Sequence, residues 1–314
     1  MDLNSCDIVF DSALTSQSEA EFCYCISPLF DHYEIISIGL GRGNIFWRAR
    51  VVEDTAWPNV SDLDYPPADK ARRGRLNDAG APCFYVAKDI ETALLEIEAK
   101  EGQLVQVAGF RILSEDILRL IVVGEYANVQ KNGYMHFTGT DPGQTMQKLI
   151  NQQDKKKGRT LLYIDKFLAS VIADPHARES NYTFSRALGA FLHSKVLADG
   201  IVFPSVRDPG GFNLAVQPEP SDRAFHNVAC VLIKVGKKRR FNVLDYEITS
   251  SAVKIDDALN FLWPDEYQAG RLNVYGLNKQ EYDFAHGRVD DENRMHDVLS
   301  MHSSRAVGDA EHQQ

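Results

Sequence analysis

The residues of this chain best suited to chemistry lie in and after a loop bracketed by glycines. Arg75 and Asn77 lie between Gly74 and Gly80, and Tyr85 follows in a short apolar stretch. A guanidinium binds phosphate through two parallel N–H donors, and an aromatic ring can stack on a planar base. With a carboxylate nearby, this set of side chains suits a nucleotide whose glycosidic bond is to be broken.

The segments after this loop indicate how that carboxylate would be placed. Residues 83–87 are typical of a short buried strand, and Asp89 predicts the N-cap of a helix that runs to about Lys100. The apolar stripe of this helix consists of Ile90, Ala93, Leu94 and Ile97. Glu96 lies at the edge of the stripe, where a half-desolvated carboxylate could stabilise positive charge. The alternative is an edge glutamate that pairs with Lys100.

Two further candidates lie on other predicted strands. Residues 46–52 predict a strand that places Arg48 on one face together with Phe46 and Arg50. Ser205 directly follows the predicted strand 201–203 and its terminating proline, a place where side chains enter clefts. A nucleophilic serine is not expected, because the G-x-S-x-G turn is absent.

Composition limits the classes of partner. The 314 residues include 34 Lys and Arg against 44 Asp and Glu, a net charge of −10 that disfavours nucleic acid as the main partner. No membrane-spanning run or signal peptide is recognised, so we expect a cytoplasmic protein that does not associate with membranes. The five cysteines suggest reduced thiols, and a metal cluster at Cys23, Cys25 and His32 is not expected because a second ligand pair is missing.

The rest of the chain divides by composition. The glycine-rich residues 39–44 predict a hinge, and residues 126–158 predict a polar surface insertion, partly helical. Periodicity predicts a helix over residues 184–196, a hairpin of strands 228–235 and 241–244, and a helix around residues 256–262. From about Asp290 the polar composition predicts a terminus without fixed structure.

Several short motifs in one order resemble the RES domain family. They are Phe46–Arg50, Gly74–Asn77 with Gly80, Tyr85–Ala87, Glu91–Glu96 and Asp199–Arg207. The resemblance implies an α/β (α+β) fold with a mixed sheet core like that of ADP-ribosyltransferases, and helices packed around it. It also implies three regions: an N-terminal extension over 1–44, a catalytic domain over 45–245 and a C-terminal extension over 246–314.

The resemblance further implies an enzyme that consumes NAD⁺, with no metal and no further cofactor. Glu96 would be the charge stabiliser, Arg48 and Arg75 would hold the pyrophosphate, and Ser205 would hydrogen-bond a ribose or the carboxamide. Gly74, Asn77 and Tyr85 would bind substrate, with the Tyr85 ring on the nicotinamide. The chain departs from the family pattern at Leu76, where an aromatic residue is usual, in the long 126–178 region, and at both extended ends.

Three functions stay open at this point. The first is NAD⁺ breakdown by water or phosphate in a toxin of a toxin–antitoxin pair, with a helix-turn-helix antitoxin as partner. The second is ADP-ribosyl transfer to a protein acceptor. The third is a non-catalytic module that binds protein or nucleic acid. The sequence also leaves open a homo-oligomer.

Overall fold

The computed structural model describes residues 1–41, 44–112, 117–135, 140–265 and 270–275. Within these ranges, the side chains of residues 140–143, 145 and 149 are not described. The predicted terminus from about Asp290 therefore lies outside the described residues, as do residues 42 and 43 of the predicted hinge.

The described residues contain α-helices and β-strands that alternate irregularly along the chain. The helices are α1 (Leu3–Leu14), α2 (Glu19–Ile26), α3 (Ile90–Glu96), α4 (Glu125–Asn132), α5 (Thr140–Gln152), α6 (Lys155–Ile172), α7 (Thr183–Lys195) and α8 (Pro218–Ala224). The strands are β1 (Ile36–Leu40), β2 (Ile45–Val51), β3 (Phe84–Ala87), β4 (Leu104–Ile112), β5 (Leu118–Val122), β6 (Gly200–Pro204), β7 (Phe212–Val216), β8 (Phe225–Lys238), β9 (Leu244–Ser251), β10 (Lys254–Ile255) and β11 (Phe261–Leu262).

These elements form two compact units. Unit 1 consists of Met1–Leu40, Tyr65–Lys88 and Ile117–Ser221, and unit 2 consists of Gly41–Asp64, Asp89–Asp116 and the described residues from Asp222 onward. Each unit combines segments that are distant in sequence. The regions 1–44, 45–245 and 246–314 were defined by resemblance to a family and not by contacts in space. They stay a prediction.

The strands of unit 1 are hydrogen-bonded in the order β1-β5-β6-β7-β3. The pair β5 and β6 is parallel and the others are antiparallel, so this part of the sheet is mixed. Gly200 opens β6 at a close approach to β7, since a Cβ atom there would lie 2.4 Å from the carbonyl oxygen of Ala215. A mixed sheet with helices around it confirms the predicted α/β class.

The helices of unit 1 form a layer to which the N-terminal segment belongs. α1 packs against α6, where the Phe10 and Phe167 rings stack with centroids 4.0 Å apart. α2 packs against α7, where Phe22 stacks on Phe184 at 4.9 Å. Phe10, Phe22 and Phe167 are buried, which contributes on the order of 2 kcal/mol each, so α1 and α2 belong to the core of unit 1.

The strands of unit 2 pair antiparallel in the order β2-β4-β8-β9. α3 packs against β2 and β4 through Ala93, Leu94 and Leu95, which are buried. Asp89 caps this helix as predicted, because its carboxylate accepts a hydrogen bond from the Thr92 N–H at 2.7 Å. The predicted end near Lys100 is wrong: the helix ends at Glu96, and Glu98 has a positive φ of 53°.

The described part of residues 126–158 is largely helical, which confirms the predicted partial helicity, but several of its apolar side chains are not on the surface. These residues contribute α4, α5 and the start of α6, and their apolar side chains Tyr126, Val129, Met135 and Ile150 are buried. The surface position was wrongly predicted because it rested on the polar average of the segment. A few apolar residues at helical spacing are enough to attach a polar helix to a core.

Two predictions for the C-terminal part need correction. The predicted hairpin is confirmed, because β8 pairs antiparallel with β9. Its second strand begins only at Leu244, since Phe241 has a positive φ and is 96% exposed in the turn. The helix predicted around 256–262 is a turn between β10 and β11. There the Asp256 carboxylate accepts hydrogen bonds from the Ala258 and Asn260 N–H groups, which competes with helix formation.

The sequence also led us to expect a protein without membrane association and without a metal cluster. Among the described helices, none combines the length and the apolar composition needed to cross a membrane. The described residues also contain no group of three or more His, Cys, Asp and Glu side chains placed to hold a metal ion.

A buried carboxylate joins the helices of unit 1. Asp165 on α6 accepts hydrogen bonds from the Tyr33 hydroxyl at 2.8 Å and from the N–H groups of Gly124 and Tyr126 at 3.0 and 2.9 Å. It therefore caps the N-terminus of α4 from another helix. Burial raises the pKa of Asp165 to about 6, against the lowering effect of these hydrogen bonds.

We predict a pH-dependent stability from Asp165. Because its pKa is about 6 in the folded chain and about 4 when unfolded, the folded state binds more protons between these values. The free energy of unfolding therefore falls as the pH rises through that window. In urea unfolding, the wild type should lose about 1 to 2 kcal/mol relative to Asp165→Asn between pH 4.5 and 7.5. A difference between the two proteins that does not change with pH would contradict this.

Candidate active site

The glycine-bracketed loop of unit 1 is organised by the side chain of Asn77. Its Nδ2 donates to the carbonyl oxygens of Arg72, Asp78 and Ala81, each at 2.9 Å. Its Oδ1 accepts a hydrogen bond from the Tyr85 hydroxyl, also at 2.9 Å. One amide thus fixes three points of the loop backbone and ties the loop to β3.

Tyr85 completes this connection from the strand. Its hydroxyl donates to Asn77 and accepts from the Leu76 N–H at 2.9 Å. Burial raises the pKa of Tyr85 well above its usual range, so the hydroxyl remains a donor at neutral pH. The stacking role expected for the ring stays a prediction, and the hydroxyl has the additional role of anchoring the loop.

Close packing on both sides of the loop depends on glycine. A Cβ atom on Gly74 would lie 2.4 Å from Asn77 Oδ1 and 3.1 Å from the Tyr85 hydroxyl. On α7, a Cβ atom on Gly189 would lie 2.7 Å from the Leu76 side chain. Leu76, which stands where an aromatic residue was expected, therefore packs against α7 where that helix has no side chain.

Arg75 extends from the loop to the C-terminal end of α6. Its Nη1 donates to the carbonyl oxygens of Ile172 and Asp174 at 2.9 and 2.8 Å, and its guanidinium carbon lies 5.7 Å from the centroid of the Tyr182 ring. A cation at this position is favoured by the helix dipole. These contacts orient the guanidinium plane; the phosphate-binding role of Arg75 stays a prediction.

Arg186 on α7 holds the other end of the loop. It forms ion pairs with Asp78 of the loop and with Glu19 of α2, and its own side chain is only 9% exposed. Nearby is a cavity of about 240 Å³ lined by residues that include Leu76, His193 and Gln217. Burial lowers the pKa of His193, which favours a neutral ring there.

Ser205 lies in the turn that connects β6 to β7. Its hydroxyl oxygen accepts hydrogen bonds from the N–H groups of Arg207 and Asp208 at 3.2 and 3.0 Å, and its own N–H donates to Gly211 at 2.8 Å. The turn leads into the start of β7, which lies beside the end of β3, since the Lys88 N–H donates to the Phe212 carbonyl of β7. The predicted contact of Ser205 with a ribose or carboxamide stays a prediction.

Arg48 lies in unit 2, at the middle of β2. It is half-buried and pairs in register with Ala108 of β4. Arg50, predicted on the same face as Arg48, contacts neighbouring protein groups. It donates to the Asp62 carbonyl at 2.6 Å and stacks over Trp57, with the guanidinium carbon 3.4 Å from the ring centroid.

Glu96 is the last residue of α3 in unit 2 and is half-buried. The edge position predicted from periodicity is therefore confirmed. Glu91, which the spacing places toward solvent, instead accepts a hydrogen bond from the Leu244 N–H at 3.1 Å, so it fastens α3 to the start of β9.

The structure brings together four of the predicted residues. Gly74, Asn77 and Tyr85 are joined by hydrogen bonds in unit 1, and Arg75 extends from the same loop to the end of α6. Ser205 lies in the same unit. Arg48 and Glu96 belong to unit 2. Sequence reasoning missed Arg186 and Asp165; the one signal for Asp165 was a carboxylate within the apolar stripe Ile164, Phe167 and Leu168 of a helix.

A family model identifies the chain by sequence. The model of the RES domain matches residues 45–243, which is more than half of the chain and includes all seven predicted site residues. The chain belongs to the RES domain family. The predicted family assignment is thereby confirmed.

The other comparisons are weaker. One solved structure that matches this chain is the crystal structure of the M. tuberculosis MbcT-MbcA toxin-antitoxin complex. It is 12% identical to this RES protein, with 66% of this chain and 90% of that chain covered and a TM-score of 0.32, which is too low for any functional conclusion. No curated protein matches the sequence.

We predict that Gly74→Ala destabilises the protein more than Gly41→Ala. The added methyl group at position 74 would lie against Asn77 Oδ1 and force the loop away from Tyr85, which costs about 1 to 3 kcal/mol. A Cβ atom on Gly41 would meet no atom within 4 Å. Urea unfolding of both variants tests this, and equal free energies of unfolding would mean that the loop accommodates a side chain.

Proposed function

We propose that this RES domain protein cleaves the bond between nicotinamide and ribose in NAD⁺, with water or phosphate as acceptor, and acts as the toxin of a toxin–antitoxin pair. The family match over residues 45–243 carries this proposal. The bonding of the Gly74–Asn77 loop supports it, because a fixed loop holds substrate-binding groups in place before the substrate arrives. A cytoplasmic location and a neutralising partner protein belong to the same proposal.

The proposed chemistry requires charge stabilisation at the ribose. When the C1′–N bond breaks, the electron pair leaves with the nicotinamide, which departs neutral and needs no strong acid. The sugar passes through an oxocarbenium-like state, as in glycoside hydrolysis. The carboxylate of Glu96 would stabilise that positive charge, and the half-buried environment of this side chain strengthens such an interaction.

The remaining candidates would bind the substrate. Arg75 and Arg48 would hold the pyrophosphate through guanidinium donors. The contacts of Arg75 Nη1 with the Ile172 and Asp174 carbonyls support this role, since a guanidinium held by one nitrogen has a fixed plane. Ser205 would hydrogen-bond the ribose or the carboxamide, and Tyr85 would contribute its ring as a stacking surface. No metal enters this scheme.

Incubating the purified protein with NAD⁺ labelled in the adenosine part tests the reaction class. Free ADP-ribose, or ADP-ribose phosphate when phosphate is present, supports breakdown. Label that remains on protein after denaturation supports ADP-ribosyl transfer instead. An NAD⁺ pool that stays unchanged both in this assay and on expression in cells would reject the enzymatic proposal in favour of a binding module.

We predict that Glu96→Gln lowers the turnover of NAD⁺ by about 10²-fold or more, because the variant keeps the shape of the side chain and loses only the charge. The matched control is Glu98→Gln, two residues along at an exposed position beyond the helix, which should keep most of its turnover. Circular dichroism should show the same fold in both. If Glu96→Gln remains as active as the control, Glu96 has only a structural role.

We predict that Arg75→Lys binds NAD⁺ about tenfold or more weakly, because an ammonium cannot reproduce the two-pronged phosphate contact. Arg73→Lys, at an exposed position in the same loop region, is the control and should change the KM little. The variant at position 75 also loses the paired contacts with Ile172 and Asp174, so stability is measured separately by thermal unfolding. A lower stability with an unchanged KM would restrict Arg75 to the structural role.

A further inference from the structure

The helical layer of unit 1 contains a second concave surface, which we call the basic groove. It has a volume of about 640 Å³ and lies between α1, α4 and α6. Its lining includes the cations Lys131, Arg159 and Lys166, the amide of Gln130, and the apolar side chains Leu3 and Leu162. Its volume is within the range of pockets that bind small molecules.

The charge of the basic groove is uncompensated. No carboxylate is among the lining residues, although the chain as a whole has a net charge of −10. Within the part of the chain that the structure describes, Lys131, Arg159 and Lys166 form no ion pair and no side-chain hydrogen bond. Tyr163, which also lines the groove, donates a hydrogen bond from its hydroxyl to the Asp7 carboxylate, and Asp7 is not among the lining residues.

Helix stability does not account for this arrangement. Lys131 lies in the last turn of α4, where the helix dipole favours a cation. Arg159 lies in the second turn of α6 and Lys166 two turns further on the same face, where the dipole gives a cation no support. Clustered like charges repel each other, and a bound anion would remove this cost.

The other lining groups favour a ligand that has a hydrogen-bond donor and an apolar ring in addition to an anionic group. The Gln130 side-chain oxygen is buried and has no hydrogen-bond partner among the described residues, so it lacks a donor such as an amino or hydroxyl group. Leu3 and Leu162 offer apolar surface to a ring. We propose that the basic groove binds a nucleoside diphosphate or triphosphate, with the phosphates on the three cations and the nucleoside toward Gln130 and the leucines.

Isothermal titration of the full chain with ADP tests the site. The triple variant Lys131→Gln, Arg159→Gln and Lys166→Gln should bind ADP at least tenfold more weakly. The control triple variant Lys237→Gln, Lys238→Gln and Arg240→Gln changes the net charge equally at exposed positions of unit 2 and should bind like the wild type. Hydrogen–deuterium exchange should show ADP-dependent protection of residues 127–132 and 159–166 in the wild type and the control only.

Tripolyphosphate and Gln130→Leu separate the two halves of the ligand. Tripolyphosphate should bind the wild type and Gln130→Leu equally, whereas ADP should bind Gln130→Leu more weakly.

Protection by ADP that appears only in the loop at residues 72–85 would overturn the proposal, because ADP would then occupy the other candidate site alone. Tighter binding of an acidic peptide than of ADP, lost in the first triple variant, would also overturn it and make the groove a protein-binding surface. Neither readout requires NAD⁺ turnover.

Discussion

The loop that carries most of the candidate active site depends on one amide side chain. The Asn77 Nδ2 donates to backbone carbonyls of the loop, and its Oδ1 accepts a hydrogen bond from the Tyr85 hydroxyl. A loop has no ladder of backbone hydrogen bonds to hold it, so its polar groups need side-chain partners when they are partly buried. Gly74 is required by the same arrangement, because only a residue without Cβ leaves room for the Asn77 oxygen.

Local patterns in the sequence predicted those features that neighbouring residues determine. The cap at Asp89, the burial of Ala93 and Leu94 from the predicted stripe and the edge position of Glu96 follow from helix geometry over a few residues. The end of the same helix was placed too late, since Ala99 and Lys100 are good helix formers. A positive φ at Glu98 stops the helix, and side-chain composition gives no signal for it.

Features determined by distant residues could not be predicted in this way. Tyr85 was expected to offer a ring, but its hydroxyl contacts a loop eight or nine residues earlier in the chain. Residues 126–158 were judged by their polarity, yet Asp165 of α6 caps α4 and links it to Tyr33 of the N-terminal segment. A carboxylate is stable at such a buried place only where several donors meet, and these donors come from two parts of the chain that are both distant from Asp165.

The helical layer therefore determines the conformation of the candidate loop. Arg75 reaches the end of α6, Asp78 pairs with Arg186 of α7, and Leu76 packs at Gly189 of the same helix. Arg186 also pairs with Glu19, so the N-terminal segment contributes to holding the loop. The Arg186 side chain is nearly buried although both carboxylates are exposed, and two ion pairs on one buried guanidinium fix its geometry better than one exposed pair. The N-terminal residues, which the family match does not include, thus support the part of the RES domain where we expect the substrate to bind.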